Sequence, residues 1–154
     1  MEQLRTPVAR LVPRLAAIDA SPPMWFAVAG IAGMLIGALG PWASLAPLSA
    51  SGTDEVGGWI VLVGGVLGVV SLATYMRFHR RLMLLGVLVA GVAGSVTTVY
   101  ERNRSATLLD VEDSEFFTRF VRIDWGLDLA FAASILVTLA PVLLLARREP
   151  AADD

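Results

Sequence analysis

Residues 125–146 read WGLDLAFAASILVTLAPVLLLA. A helix needs roughly 20 mostly apolar residues to cross a hydrocarbon core of about 30 Å. This run has that length and contains one ionisable residue, Asp128, and one proline, Pro141. Earlier in the chain three more runs reach membrane length, at about 24–45, 59–76 and 82–100, and none of them carries a charge. So short a chain cannot hide four such helices from water. The composition agrees. It is 56% hydrophobic and 17% charged, whereas soluble domains hold about 45–50% and about 25%. The expected fold is all-α, an integral membrane four-helix bundle. Its parts are an N-terminal amphipathic segment at 1–23, a four-span domain at 24–146 and a tail at 147–154.

All 12 basic residues are arginine, and their placement sets the expected orientation. Arg5, Arg10 and Arg14 precede the first span, Arg77, Arg80 and Arg81 join spans two and three, and Arg147 and Arg148 follow the fourth. The opposite side holds only Arg102, Arg104, Arg119 and Arg122. Both termini are therefore expected on the cytoplasmic side of the membrane. The arginines, apolar run and PLSASG of the N-terminal region imitate a signal peptide. However, the region before the run is too long and the run itself is span-length. An uncleaved first span is expected.

Outside the spans, Leu4, Val8, Leu11, Val12 and Leu15 stand at helical spacing with arginines between them, the pattern of an interfacial helix. Pro7 and Pro13 keep it short or kinked. In the second outer loop, DSEFFTRFVRIDW puts Phe116, Phe120 and Ile123 on one side, and Glu115 and Arg119 stand four apart. A short amphipathic helix is expected over about 111–121, its phenylalanines sealing the bundle top. Trp25, Trp42, Trp59 and Trp125 fall near span ends and fit interfacial aromatic belts. The first outer loop carries Asp54 and Glu55 on a flexible SGTDEVGG stretch. Two adjacent carboxylates there hold a cation only weakly without further fixed oxygen ligands, so a plain hairpin connection is expected.

The segments PWAS, SGTD and GGWIVLVGGVLG resemble a recurrent group of small four-span membrane proteins of actinobacteria, and the resemblance extends over residues 25–146. Gly52, Thr53, Asp54 and Trp59 match that group's loop, and Trp125, Gly126 and Leu127 match the W-G-L opening of its fourth span. Asp128 departs from it, standing where an apolar or aromatic residue is expected. The resemblance implies topology and a bacterial source, hence an inner (plasma) membrane location, and brings no activity with it.

Several chemistries are excluded or disfavoured. Cysteine is absent, which removes thiolate nucleophiles, disulfide exchange and thiolate metal sites. A net charge of −2 supplies no basic face for nucleic acid. The single histidine, His79, lies among arginines and cannot assemble a metal centre. No base and nucleophile converge. Neither an enzymatic activity nor a cofactor or metal is expected.

Two features keep functional readings open. Asp128 is an ionisable residue inside a span, and such residues are candidates for function by default. It lies one turn inside the boundary, so a shallow, hydrated acid paired with Arg119, Arg122 or Arg102 is expected. The sharper alternative is a proton- or cation-binding carboxylate aided by Thr97, Thr98 or Tyr100. Gly33 and Gly37, Gly64 and Gly68, and Ala90 and Gly94 stand four apart, the spacing that lets helix backbones approach. They serve either packing within the bundle or a face for another subunit. The leading expectation is a non-catalytic accessory or interaction subunit, contacting lipid and, through its glycine-rich helix faces, either a protein partner or a second copy. A phage-type holin or membrane-exclusion pore and a small proton-coupled transporter using Asp128 are the alternatives.

Overall fold

A computed structural model describes residues 21–45, 48–104 and 122–146. Helix α1 spans Pro22–Leu39, α2 Val56–Phe78, α3 Leu82–Asn103 and α4 Trp125–Ala146. All four are long and apolar enough to cross a membrane, compatible with a multi-pass membrane protein. Around the bundle α1 packs on α4, α4 on α3, α3 on α2 and α2 on α1, with the α1–α4 seam the most intimate and the α1–α2 seam the least. Large apolar side chains stay exposed along the outer faces, among them Ile36, Val63, Val70, Val89 and Leu139. In water so much exposed apolar surface would drive association; in lipid it is the expected exterior.

Helix α1 opens with prolines in its first turn, where a missing N–H costs nothing. Its inward stripe is Met24, Ala27, Ile31, Met34 and Ala38, the three-to-four spacing of one helical face. The helix ends six residues earlier than the expected first span of 24–45. Pro41 has no N–H to donate and forces the residue before it out of the helical region. Gly40 accordingly stands extended at φ −78°, ψ 170°. The other observed helices match or slightly overrun the expected spans. Helix α2 adds a turn before Trp59, α3 runs past Tyr100, and α4 keeps 125–146.

Beyond α1 the chain turns from helix to sheet. Strand β1 (Pro41–Leu45) pairs antiparallel with β2 (Leu48–Ser51) on one edge and β3 (Arg122–Ile123) on the other. The otherwise helical bundle is thus capped by a small sheet that ties the first loop to the start of α4. The pairs Ala43 with Ala50 and Ala43 with Ile123 set the register. A bulge between Pro41 and Ala43 turns Trp42 inward, where it is completely buried. Its indole N–H donates to the Gly37 carbonyl at 2.9 Å, an end-of-helix acceptor that the Gly40 N–H also reaches at 3.2 Å. Its own carbonyl accepts the Asp124 N–H at 3.0 Å. Trp42 is therefore a core residue and stands outside the aromatic belt expected of it.

A 3-10 turn, Gly52–Asp54, leads into α2. The Asp54 carboxylate accepts the Ser51 N–H at 2.7 Å and the Ser51 hydroxyl at 2.9 Å, so this acid closes a capping box. At the far end α2 stops at His79, whose φ of 53° places it in the left-handed region and whose N–H reaches the Tyr75 carbonyl at 2.7 Å. His79 is thus a helix terminator. The buried hydroxyls of Thr98 and Ser134 are satisfied within their own helices, whereas the buried Ser21 hydroxyl before α1 finds no partner among the described residues. Thr98 donates to Gly94 at 2.9 Å and Ser134 to Ala130 at 2.6 Å, the back-bonding that polar side chains use where water is absent.

The six small residues named from the sequence all lie inside the bundle. Gly33 and Gly37 meet α4, Gly64 faces Ala90 of α3, Gly68 faces Ile31 of α1, and Gly94 faces Ser134 of α4. At Gly37 the approach is backbone to backbone: a Cβ there would stand 2.6 Å from the Ala130 nitrogen. These positions are spent on internal packing.

Candidate functional site

The end of the bundle that carries the sheet also gathers the charged side chains of the helix ends. Asp128, in the first turn of α4, accepts a hydrogen bond from Arg102 Nη1, in the last turn of α3, at 2.9 Å. Of the described arginines weighed for it, Arg102 is the one that bonds it. The two side chains are 49% and 54% exposed, so the pair straps α3 to α4 at a hydrated rim. Each end is also favourably placed in its helix dipole, the acid at an N-terminus and the cation at a C-terminus. Arg122 stands exposed in β3, and Arg119 lies outside the described residues. Thr97 and Tyr100 line a different space, and Thr98 is buried with its hydroxyl bonded back to α3. No polar helper from α3 joins Asp128 except Arg102 among the described residues.

That different space is a cavity of about 440 Å³ between the start of α2 and the end of α3. Glu55, Val56, Gly57, Tyr100, Glu101 and Arg104 line it, with Thr97 and the apolar Ile60 and Val96 beneath them. Glu101 is its distinguishing group, only 8% exposed. It fits because Gly57 faces it: a Cβ at position 57 would run into the Glu101 carboxylate and stand 2.7 Å from its Cγ. Among the described residues none donates a hydrogen bond to that carboxylate, which opens on the cavity. Glu55 precedes α2 without using its side chain as a cap. Across the cavity Arg104 donates to the Tyr100 hydroxyl at 2.6 Å and lies 5.3 Å from the centre of its ring. Two carboxylates, a guanidinium, a phenol and an apolar floor thus converge where α2 and α3 meet the sheet end.

Sequence reasoning passes over Glu101, because span counting stops at Tyr100. A signal is nevertheless present. Val87, Gly91, Gly94 and Thr98 are buried at three-to-four spacing, and the next position on that stripe is Glu101.

Among the other expected residues, Trp25, Trp59 and Trp125 are exposed in the first turns of α1, α2 and α4. Because neighbouring helices alternate in direction, Trp25 marks one end of the bundle, and Trp59 and Trp125 mark the other. The Trp59 indole donates to the Thr53 carbonyl at 3.0 Å. Ile123 is a strand residue packed partly against the core. Phe116, Phe120, the expected helix over 111–121 and the segments 1–20 and 147–154 lie outside the described residues. No cluster of His, Asp or Glu able to hold a metal ion is found among the described residues. Comparison with protein-family models, with curated proteins and with solved structures finds no match to this chain.

Proposed function

We propose that this chain is a non-catalytic, multi-pass protein of the bacterial inner membrane, with both termini cytoplasmic, that acts as an accessory or interaction subunit. The likeness to small four-span actinobacterial proteins belongs to the same proposal. The observation that carries it is the contrast between a closed interior and an open flank. The small-residue seams are filled by the bundle's own helices, while α2 turns Val63, Val66, Val69 and Val70 outward. Contact with another membrane protein then uses the branched outer faces of α2 and its neighbours, not the glycines. Asp128, exposed and paired with Arg102 at a helix end, serves as a strap and carries no transport cycle.

Two measurements test this. With an impermeant maleimide on whole cells, Thr107→Cys is labelled and His79→Cys is not, as the arginine distribution requires; the reverse pattern inverts the topology. Extraction in mild detergent retains a species larger than the 16.4 kDa chain, and the purified protein leaves dye-filled liposomes intact. Dye release moves the protein to the pore class. pH-driven solute uptake that Asp128→Asn abolishes moves it to the transporter class. A monomer with no partner removes the interaction reading.

A further inference from the structure

The polar cavity at the sheet end does not stop at its floor. Val56 and Ile60 line both it and a wholly apolar groove of about 370 Å³ that runs down the same α2–α3 face, walled by Val63, Leu67, Val89 and Ala93. A charged chamber therefore sits directly on an apolar channel. The chamber offers two carboxylates and one guanidinium, and the more buried carboxylate, Glu101, has no donor among the described residues. Glu55 and Glu101 repel each other across the chamber, and Arg104 offsets that only in part, so a carboxylate this buried and without a hydrogen-bond donor among the described residues gains from a further cation. A bare metal ion is a poor candidate, because no cluster of three or more ligating side chains forms among the described residues. An ammonium fits better, since each N–H makes a charge-assisted bond to a carboxylate, and the neighbouring Arg104 suits an anion attached to that ammonium. The apolar channel below demands a hydrocarbon chain on the same molecule.

We propose that the α2–α3 face holds a phospholipid whose headgroup carries a primary amine, of the phosphatidylethanolamine type. Its ammonium lies between Glu55 and Glu101, its phosphate towards Arg104, and an acyl chain along the Val63–Ala93 groove. The inference rests on the membrane reading above and adds a specific lipid to it.

The test is thermal unfolding of the full chain in detergent, titrated with phosphatidylethanolamine, phosphatidylcholine and phosphatidylglycerol of one acyl composition, and with soluble phosphoethanolamine. Phosphatidylethanolamine stabilises saturably, and the other two lipids bind at least about tenfold more weakly, because methylation or loss of the amine removes the N–H donors. Glu101→Gln weakens phosphatidylethanolamine about tenfold and leaves phosphatidylglycerol unchanged. Glu55→Gln, at the less buried rim, shows the same selectivity change should the Glu101 variant fail to fold. Ala93→Phe, which fills the groove, weakens the lipid as well. Equal stabilisation by all three lipids overturns the proposal, as does a folded Glu101 or Glu55 variant of unaltered selectivity. Phosphoethanolamine binding as tightly as the lipid also overturns it, since the groove would then contribute nothing. The membrane reading fails separately, if the chain leaves the membrane fraction of cells.

Discussion

Helix α1 makes two seams of opposite character. Against α4 it presents Gly33 and Gly37, and the backbones themselves touch; against α2 the contact runs through the side chains of Ile31 and Leu35 resting over Gly68 and Gly65. The first seam is also stitched at its end, by Trp42 and by the pairing of β1 with β3. The second is flanked by an apolar groove between Val28 and Leu35 of α1 and Val69 and Met76 of α2. Small residues without a hydrophobic driving force give tight, rigid joints in a bilayer, whereas side chains that interdigitate can repack. One side of α1 is therefore built to be permanent, and the other leaves α2 with room to adjust.

The most severe test of that contrast places comparable insults on the two sides. Gly37→Ala puts a Cβ 2.6 Å from the Ala130 nitrogen, a backbone atom that cannot move aside, and should cost about 3 kcal/mol or more, or abolish folding. Gly68→Ala meets only side-chain atoms, Cγ1 and Cδ1 of Ile31 at 3.1 and 3.2 Å, which must give by a few tenths of an ångström, and it gains helix propensity, so it should stay within about 1 kcal/mol of the parent. Chemical denaturation in mixed micelles reports both; similar losses would erase the distinction. Next in size is Trp42→Phe, which removes the indole donor from the buried Gly37 carbonyl and should cost about 1–3 kcal/mol. An unchanged unfolding midpoint would show that the stitch holds nothing.

Smaller still is the strap on the other side of α4. Asp128→Asn should lower stability by about 1 kcal/mol or less, the scale of an exposed ion pair, and Arg102→Ala by as much. The double variant should lose little more than either single one. A midplane-sized penalty in any of them would mean that the pair is far less hydrated than its exposure indicates.

The smallest effect lies at the start of α2. The Ser51 N–H, and after it the Ser51 hydroxyl, hold the Asp54 carboxyl below its ordinary value of 3.8. A group whose folded pKa is depressed contributes stability that is present above the unfolded value and lost as pH falls through the folded one. The difference in melting temperature between the parent and Asp54→Asn should thus be constant above about pH 5 and shrink towards about pH 3. A difference that grows on acidification would contradict the capping role.

The helices are legible in the sequence because membrane length and apolar content are local properties: 125–146 needs no partner to be recognised. The end of α1 is harder to place because Ala43, Ser44 and Leu45 read as more apolar run, although Pro41 already forbids helix there. The sheet is not legible. Its strands are short and rich in small residues, and β3 is two residues long, defined only by a partner far back in the chain. Trp42 is misread for the same reason, since only the bulge and the sheet turn it inward. Glu101 is half legible: the three-to-four stripe of α3 runs into it, but counting spans by charge discards an acid at a boundary by rule. Asp128, by contrast, draws attention by lying within a span, and the structure gives it an exposed partner at the rim.

The sheet order β2-β1-β3 also constrains the sequence of events at the ribosome. Strand β1 acquires its first neighbour, β2, almost at once, because only two residues separate them in the chain. Its other edge stays bare through the synthesis of α2 and α3, and an open strand edge is an invitation to wrong pairing. Trp42, too, lacks the Asp124 N–H on its carbonyl until Asp124 itself emerges behind β3. The nascent three-helix chain is thus a molecule with an unfinished seal, and α4 arrives as the piece that closes it.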